Sequence, residues 1–157
     1  MKVLNSVSRR ATVEIISALF ILLFLYTALS KMNEFVVFRA TLGKSPIIRS
    51  LAPVLAWFIP AIELIIAGLL IVPKTRRLGL YFSLALMTIF TLYIGYMLLF
   101  TPNLPCSCGG VLQSMTWLQH FMFNLFFTIV AFIGIKLSKS NISQPDQALK
   151  STQPVLS

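Results

Sequence analysis

The chain has 157 residues, of which 57% are hydrophobic and only 11% charged, with 13 Phe among them. Soluble domains carry about 25% charged residues, so this composition excludes an ordinary soluble enzyme and belongs in a lipid bilayer. The formal charge of +9, from 13 Lys and Arg against 4 Asp and Glu, would suggest nucleic acid in a soluble protein. Here the basic residues sit at the ends of apolar runs, with no basic stripe interleaved with aromatics, and the expectation is no nucleic acid. One crossing takes ~20 apolar residues, so the length allows about four crossings and no second folded domain.

Residues 1–12, with Lys2, Arg9 and Arg10, precede a first apolar run at 13–30. The run is longer than the h-region of a signal peptide, and no small-residue cleavage site precedes Lys31, so a retained membrane helix is expected. Arg10 and Glu14 are one helical turn apart and read as an interfacial pair. A mixed stretch, 31–50, follows. In it Asn33 is placed to cap a short interfacial helix with Phe35, Phe38 and Leu42 on one side, stopped by Gly43 and Pro46; an ordinary connecting loop is the alternative.

The second crossing, 51–72, contains Pro53, Trp57, Pro60, Glu63 and Gly68. Pro60 removes a backbone donor and predicts a kink. Glu63 is the one acid deep in an apolar run, about twelve residues from its outer end and so near the membrane midplane. Ionised and alone it would be very costly there, which makes it either neutral or the partner of another buried group. Lys74, Arg76 and Arg77 form a basic turn before the third crossing, 78–100, whose polar mid-span residues are Thr88 and Thr91.

Loop 101–114 holds both cysteines, Cys106 and Cys108, between Pro105 and the pair Gly109-Gly110, and contains no Lys or Arg. The fourth crossing, 115–137, carries the only histidine, His120, followed by Asn124 and Thr128 at i+4 steps. Residues 138–157 are Ser/Gln/Pro-rich without apolar periodicity and read as a disordered tail.

Orientation follows from the cations. Lys2, Arg9, Arg10, Lys74, Arg76, Arg77, Lys136, Lys139 and Lys150 share one side, against Lys31, Arg39, Lys44 and Arg49 on the other, nine to four. The positive-inside rule then puts both termini in the cytoplasm and the cysteine loop outside, in the periplasm of a bacterium with the chain in its inner membrane. That compartment forms and exchanges disulfides.

One residue separates Cys106 from Cys108. A disulfide between them closes too small a ring to stabilise much, whereas strained, exposed disulfides exchange readily, so a redox pair is favoured over a structural staple or two incidental thiols. His120, if cationic beside the loop, would lower a thiol pKa; a histidine bonded to a backbone carbonyl is the bland alternative. Asn124, Thr91 and Glu63 fall at similar depth, which suggests a polar cluster joining the second, third and fourth crossings, or simple packing glue.

Ser30-Lys31, Pro60 with Glu63 and Gly68, Cys106-Ser107-Cys108-Gly109-Gly110, and Trp117, His120 and Asn124 together resemble the MauE/DoxX family of four-helix membrane proteins, most closely its MauE-like branch, over residues 9 to 138. The resemblance implies a membrane component of redox maturation: MauE supports disulfide formation in a methylamine dehydrogenase subunit beside a thioredoxin-like partner, and DoxX-type relatives are linked to a quinone-coupled oxidoreductase. The chain also resembles quinone-linked disulfide-generating membrane enzymes, but has a single cysteine pair where those use more than one.

The reading is therefore an all-α, four-transmembrane-helix bundle whose Cys106/Cys108 pair exchanges disulfides with a periplasmic thioredoxin-like protein. His120 would tune the thiolate and Glu63 act as a buried acid; no motif marks a quinone. The rival readings are a soft-metal site of Cys106 and Cys108 with Met115 or His120 holding Cu(I), a noncatalytic membrane subunit or scaffold, and a small transporter using Glu63.

Overall fold

The computed structural model describes the backbone at residues 2–45, 48–100 and 116–140. The described residues are helical apart from short connections, without a strand: α1 (Lys2–Asn33), α2 (Phe35–Lys44), a 3₁₀ turn (Arg49–Leu51), α3 (Ala52–Ile71), α4 (Arg76–Phe100) and α5 (Trp117–Ser140). Four segments, Ser8–Asn33, Arg49–Ile71, Arg76–Phe100 and Leu118–Ser138, are long and apolar enough to cross a membrane. The chain is an all-α, multi-pass membrane protein. The segment with Cys106 and Cys108, and the tail from residue 141, lie outside the described residues.

Local chemistry sets the helix ends. Pro53 occupies the first turn of α3, where its missing N–H costs nothing. At the other end Thr75 Oγ1 donates to the carbonyls of Leu69 (2.8 Å) and Val72 (3.3 Å), and Arg76 Nε to that of Leu70 (3.5 Å). These bonds take up carbonyls that the helix end leaves without partners. The start of α5 is a reciprocal capping box: Thr116 N donates to Gln119 Oε1 (2.9 Å) and Gln119 N to Thr116 Oγ1 (3.3 Å). The helix therefore begins at Trp117, two residues later than the apolar run suggests, and continues through Ser140 into the stretch expected as tail.

The spanning helices form a ring in the order α1, α3, α4, α5, with α1 against α3 and α4 against α5 as the most extensive pairs. Phe20, Phe24, Leu70, Leu80 and Ala131 fill the centre and are fully buried or nearly so. Lipid tails are as apolar as leucine, so helix association rests on close packing, and small residues make it possible. A Cβ on Gly79 would stand 2.9 Å from the Leu70 side chain, and one on Gly134 3.1 Å from Ile16. Interior hydroxyls are satisfied within their own helices, as in Ser17 to Val13 O (2.8 Å), Ser83 to Gly79 O (2.8 Å) and Thr88 to Leu84 O (2.7 Å). Outward faces carry large apolar groups such as Leu92, Leu99 and Phe126, as a lipid-facing surface does.

The mixed stretch after α1 does contain a short helix. α2 buries Phe38 and Leu42 against Ala52 and Ala56 of α3, and Phe35 lies 4.7 Å, ring to ring, from Trp57. Its N-cap is Glu34, without a side-chain cap bond, rather than Asn33, because α1 runs three residues past its expected end and absorbs Asn33. Pro60 lies inside α3 and is buried. The basic residue facing Glu14 is Arg76, at 3.5 Å between Nη1 and Oε1. The expected Arg10–Glu14 pairing is thus corrected: the turn before α4 delivers a guanidinium across to α1.

Candidate functional site

The extension of α1 decides the partner of the buried acid. Lys31, expected as the first residue of a loop, belongs to the last turn of the helix, and its Nζ donates to Glu63 Oε1 at 2.5 Å. Glu63 is 1% exposed and Lys31 16%. Fully buried alanines line the same two helices, Ala28 on α1 and Ala56 on α3, so the backbones approach closely enough for a lysine stem to span between them. The ammonium also lies 5.8 Å from the ring centroids of both Phe38 on α2 and Phe90 on α4. An ion and two ring faces drawn from three helices thus enclose the cation on a fourth.

A buried carboxylate accepts hydrogen bonds at both oxygens when it is fully satisfied. Here Oε1 is taken by Lys31, while Oε2 is buried and has no hydrogen-bond partner among the described residues. Thr27, one turn before Lys31, faces the same carboxylate, although its hydroxyl is engaged with Phe24 O at 3.3 Å. One acceptor position is therefore open for a donor of suitable reach, such as water or a ligand hydroxyl.

On α5 the expected polar stripe is present. The capping box places His120 in the first turn, half-buried, with its backbone N–H donating to Thr116 O at 2.9 Å. Asn124, 3% exposed, donates from Nδ2 to His120 O at 3.0 Å, and Thr128 donates to Asn124 O at 2.8 Å. Thr128 and Thr91 share a hydroxyl–hydroxyl bond of 3.2 Å that ties α5 to α4. Glu63 is not part of this chain of bonds. The cluster expected to join Asn124, Thr91 and Glu63 is instead two assemblies: a hydroxyl link between α4 and α5, and an ion pair between α1 and α3. Among the described residues, Lys31 is the one charged group that bears on His120 across the two assemblies.

Of the residues singled out from sequence, Glu63 and His120 are both described, and they belong to these two separate assemblies. Cys106, Cys108 and Met115 lie outside the described residues, so of the alternative metal set only His120 is described. Among the described residues no three of His, Cys, Asp and Glu are grouped as metal ligands. Lys31 reads from sequence as an outer-side cation and as part of the Ser30-Lys31 feature; what sequence reasoning missed is its role as the partner of Glu63. Its signal was present: a deep acid must be neutral or paired, and Lys31 is the cation that directly abuts the first apolar run.

Comparison with curated proteins found no match, and neither did comparison with solved structures. The sequence model described as "Methylamine utilisation protein MauE" matches residues 9–137, which takes in all four spanning helices except the ends of the first and last. This four-helix membrane chain, with its buried Lys31–Glu63 pair, belongs to the MauE family.

Proposed function

We propose that the chain is the membrane component of a periplasmic thiol–disulfide maturation system, in which Cys106 and Cys108 exchange a disulfide with a thioredoxin-like protein. The observation that carries the reading is the buried Lys31–Glu63 pair with an open acceptor at Oε2 and His120 nearby. By chain connectivity Lys31, in the last turn of α1, and His120, in the first turn of α5, lie toward the end of the bundle where α4 stops and α5 starts, with Glu63 farther in; α4 and α5 are joined by the cysteine-bearing segment. Ionisable groups are expensive inside a membrane and mark sites of chemistry there.

In the exchange, a thiolate of the partner attacks one sulfur of the Cys106–Cys108 disulfide, forming a mixed disulfide and releasing the other cysteine as thiolate. The partner's second thiolate then attacks the partner's own sulfur in the mixed disulfide and releases the cysteine still bound to it. The partner leaves as a disulfide, and Cys106 and Cys108 remain as a dithiol carrying two electrons and two protons. His120, in the first turn of α5, would exchange a proton with the pair. A lipid-soluble acceptor of the quinone class would take up the two electrons and protons and restore the disulfide. Glu63 Oε2, buried and without a partner among the described residues, is the atom that would meet a hydroxyl of such a group. Orientation with both termini in the cytoplasm of a bacterial inner membrane belongs to the same proposal. The pairing of Lys31 with Glu63 leaves Arg39, Lys44 and Arg49 as the outer-side cations without an acidic partner among the described residues, which sharpens the asymmetry. Methylamine as the pathway rests on the family description alone.

The test is the redox state of the pair in membranes, read by acid quenching and maleimide mass tagging. The proposal expects an oxidised pair that a thioredoxin-type dithiol reduces and that reoxidises when the reductant is removed. Cysteines that stay as free thiols under oxidising conditions contradict it.

A further inference from the structure

A second site lies away from the ion pair. Between α2 and the start of α3 is a groove of about 470 Å³. Phe35, Val36, Ala40 and Pro53 supply apolar walls, and Arg39 and Arg49 also line it. Both arginines are exposed, and neither makes a salt bridge among the described residues. Arg49 is the first residue of the second spanning segment, Arg49–Ile71, which puts it at headgroup level. Apolar side chains that line the groove are open to the surroundings: Val36 is 79% exposed, and Ala40 and Pro53 are exposed as well. Water is a poor neighbour for that rim, and acyl chains are a good one.

We propose that this groove binds an anionic phospholipid, with its phosphate between Arg39 and Arg49 and its chains along Val36, Ala40 and Pro53. Guanidinium groups recognise phosphate through paired, charge-assisted hydrogen bonds, and a second guanidinium selects an anionic over a zwitterionic headgroup. The apolar rim selects a lipid over a free anion. α2 packs on α3 through Phe38 and Leu42, and Phe38 also bears on Lys31. A lipid seated here therefore holds in place the helix that closes one side of the Lys31–Glu63 pair. The proposal does not depend on the redox reading.

The experiment is native mass spectrometry of the detergent-purified full chain titrated with phosphatidylglycerol or phosphatidylcholine. The wild type is expected to bind one phosphatidylglycerol at least tenfold more tightly than phosphatidylcholine. The double variant R39Q/R49Q should lose that preference while keeping its helical circular dichroism, since both side chains are exposed. K44Q, which removes an exposed cation from the same helix, should keep it. Retention of the preference by R39Q/R49Q overturns the proposal. So does equal loss in K44Q, which would indicate diffuse surface charge, or displacement of the lipid by millimolar inorganic phosphate, which would indicate a free-anion site.

Discussion

Substituting Lys31 by methionine keeps the length and apolar stem of the side chain and removes its charge. Glu63, 1% exposed, is then left with neither oxygen bonded, because Oε2 already lacks a partner among the described residues. Breaking a buried pair from one side costs about 3–5 kcal/mol, whereas replacing both members with apolar residues of similar volume is often neutral or stabilising. The expected outcome is that K31M lowers unfolding free energy by about 3–4 kcal/mol and that K31M/E63L recovers most of it, with a coupling of at least ~2 kcal/mol in the double-mutant cycle. Reversible unfolding in mixed micelles, followed by circular dichroism, measures all four corners. A K31M variant within about 0.5 kcal/mol of wild type, or simple additivity of the two substitutions, would refute the claim that the pair is buried and mutually dependent.

Gly79→Val places a branched side chain where a bare Cβ already stands 2.9 Å from Leu70; the same unfolding assay should show a loss of about 1–3 kcal/mol, partly restored by Leu70→Ala. Thr116→Ala removes the capping hydroxyl of α5 and should cost about 1 kcal/mol, seen as faster amide exchange confined to the first turn around His120. Arg76→Gln breaks a 3.5 Å pair whose carboxylate is 66% exposed, so solvent screening should hold its effect to within about 0.5 kcal/mol. The ordering Lys31, Gly79, Thr116, Arg76 is thus itself a measurable expectation.

Much of this architecture is legible in the composition. Apolar runs of membrane-spanning length, separated by the mixed stretch containing Gly43 and Pro46 and by the basic turn of Lys74, Arg76 and Arg77, delimit the helices because a bilayer leaves few other ways to satisfy backbone polar groups. The amphipathic spacing of Phe35, Phe38 and Leu42 likewise predicts α2. Partner choice was less legible. Periodicity pairs Arg10 with Glu14 and ends α1 at Ser30, whereas in the fold Arg76 faces Glu14 and α1 carries Lys31 inward. A lysine next to an apolar run reads as an interfacial anchor until the helix packed against it is known to carry a buried acid. The start of α5 illustrates the opposite case. Thr116 and Gln119 spell a capping box in the sequence, and apolar content alone obscured it by drawing the helix start back to Met115.

The most direct test of the redox reading is mixed-disulfide trapping: Cys106→Ser and Cys108→Ser expressed singly in native membranes, quenched with acid, alkylated, and any reducible adduct identified by mass spectrometry. The account predicts a covalent adduct with a thioredoxin-like periplasmic protein in one single variant, absent from the double variant. Absence of an adduct from both single variants, together with full function of the double variant, would contradict it.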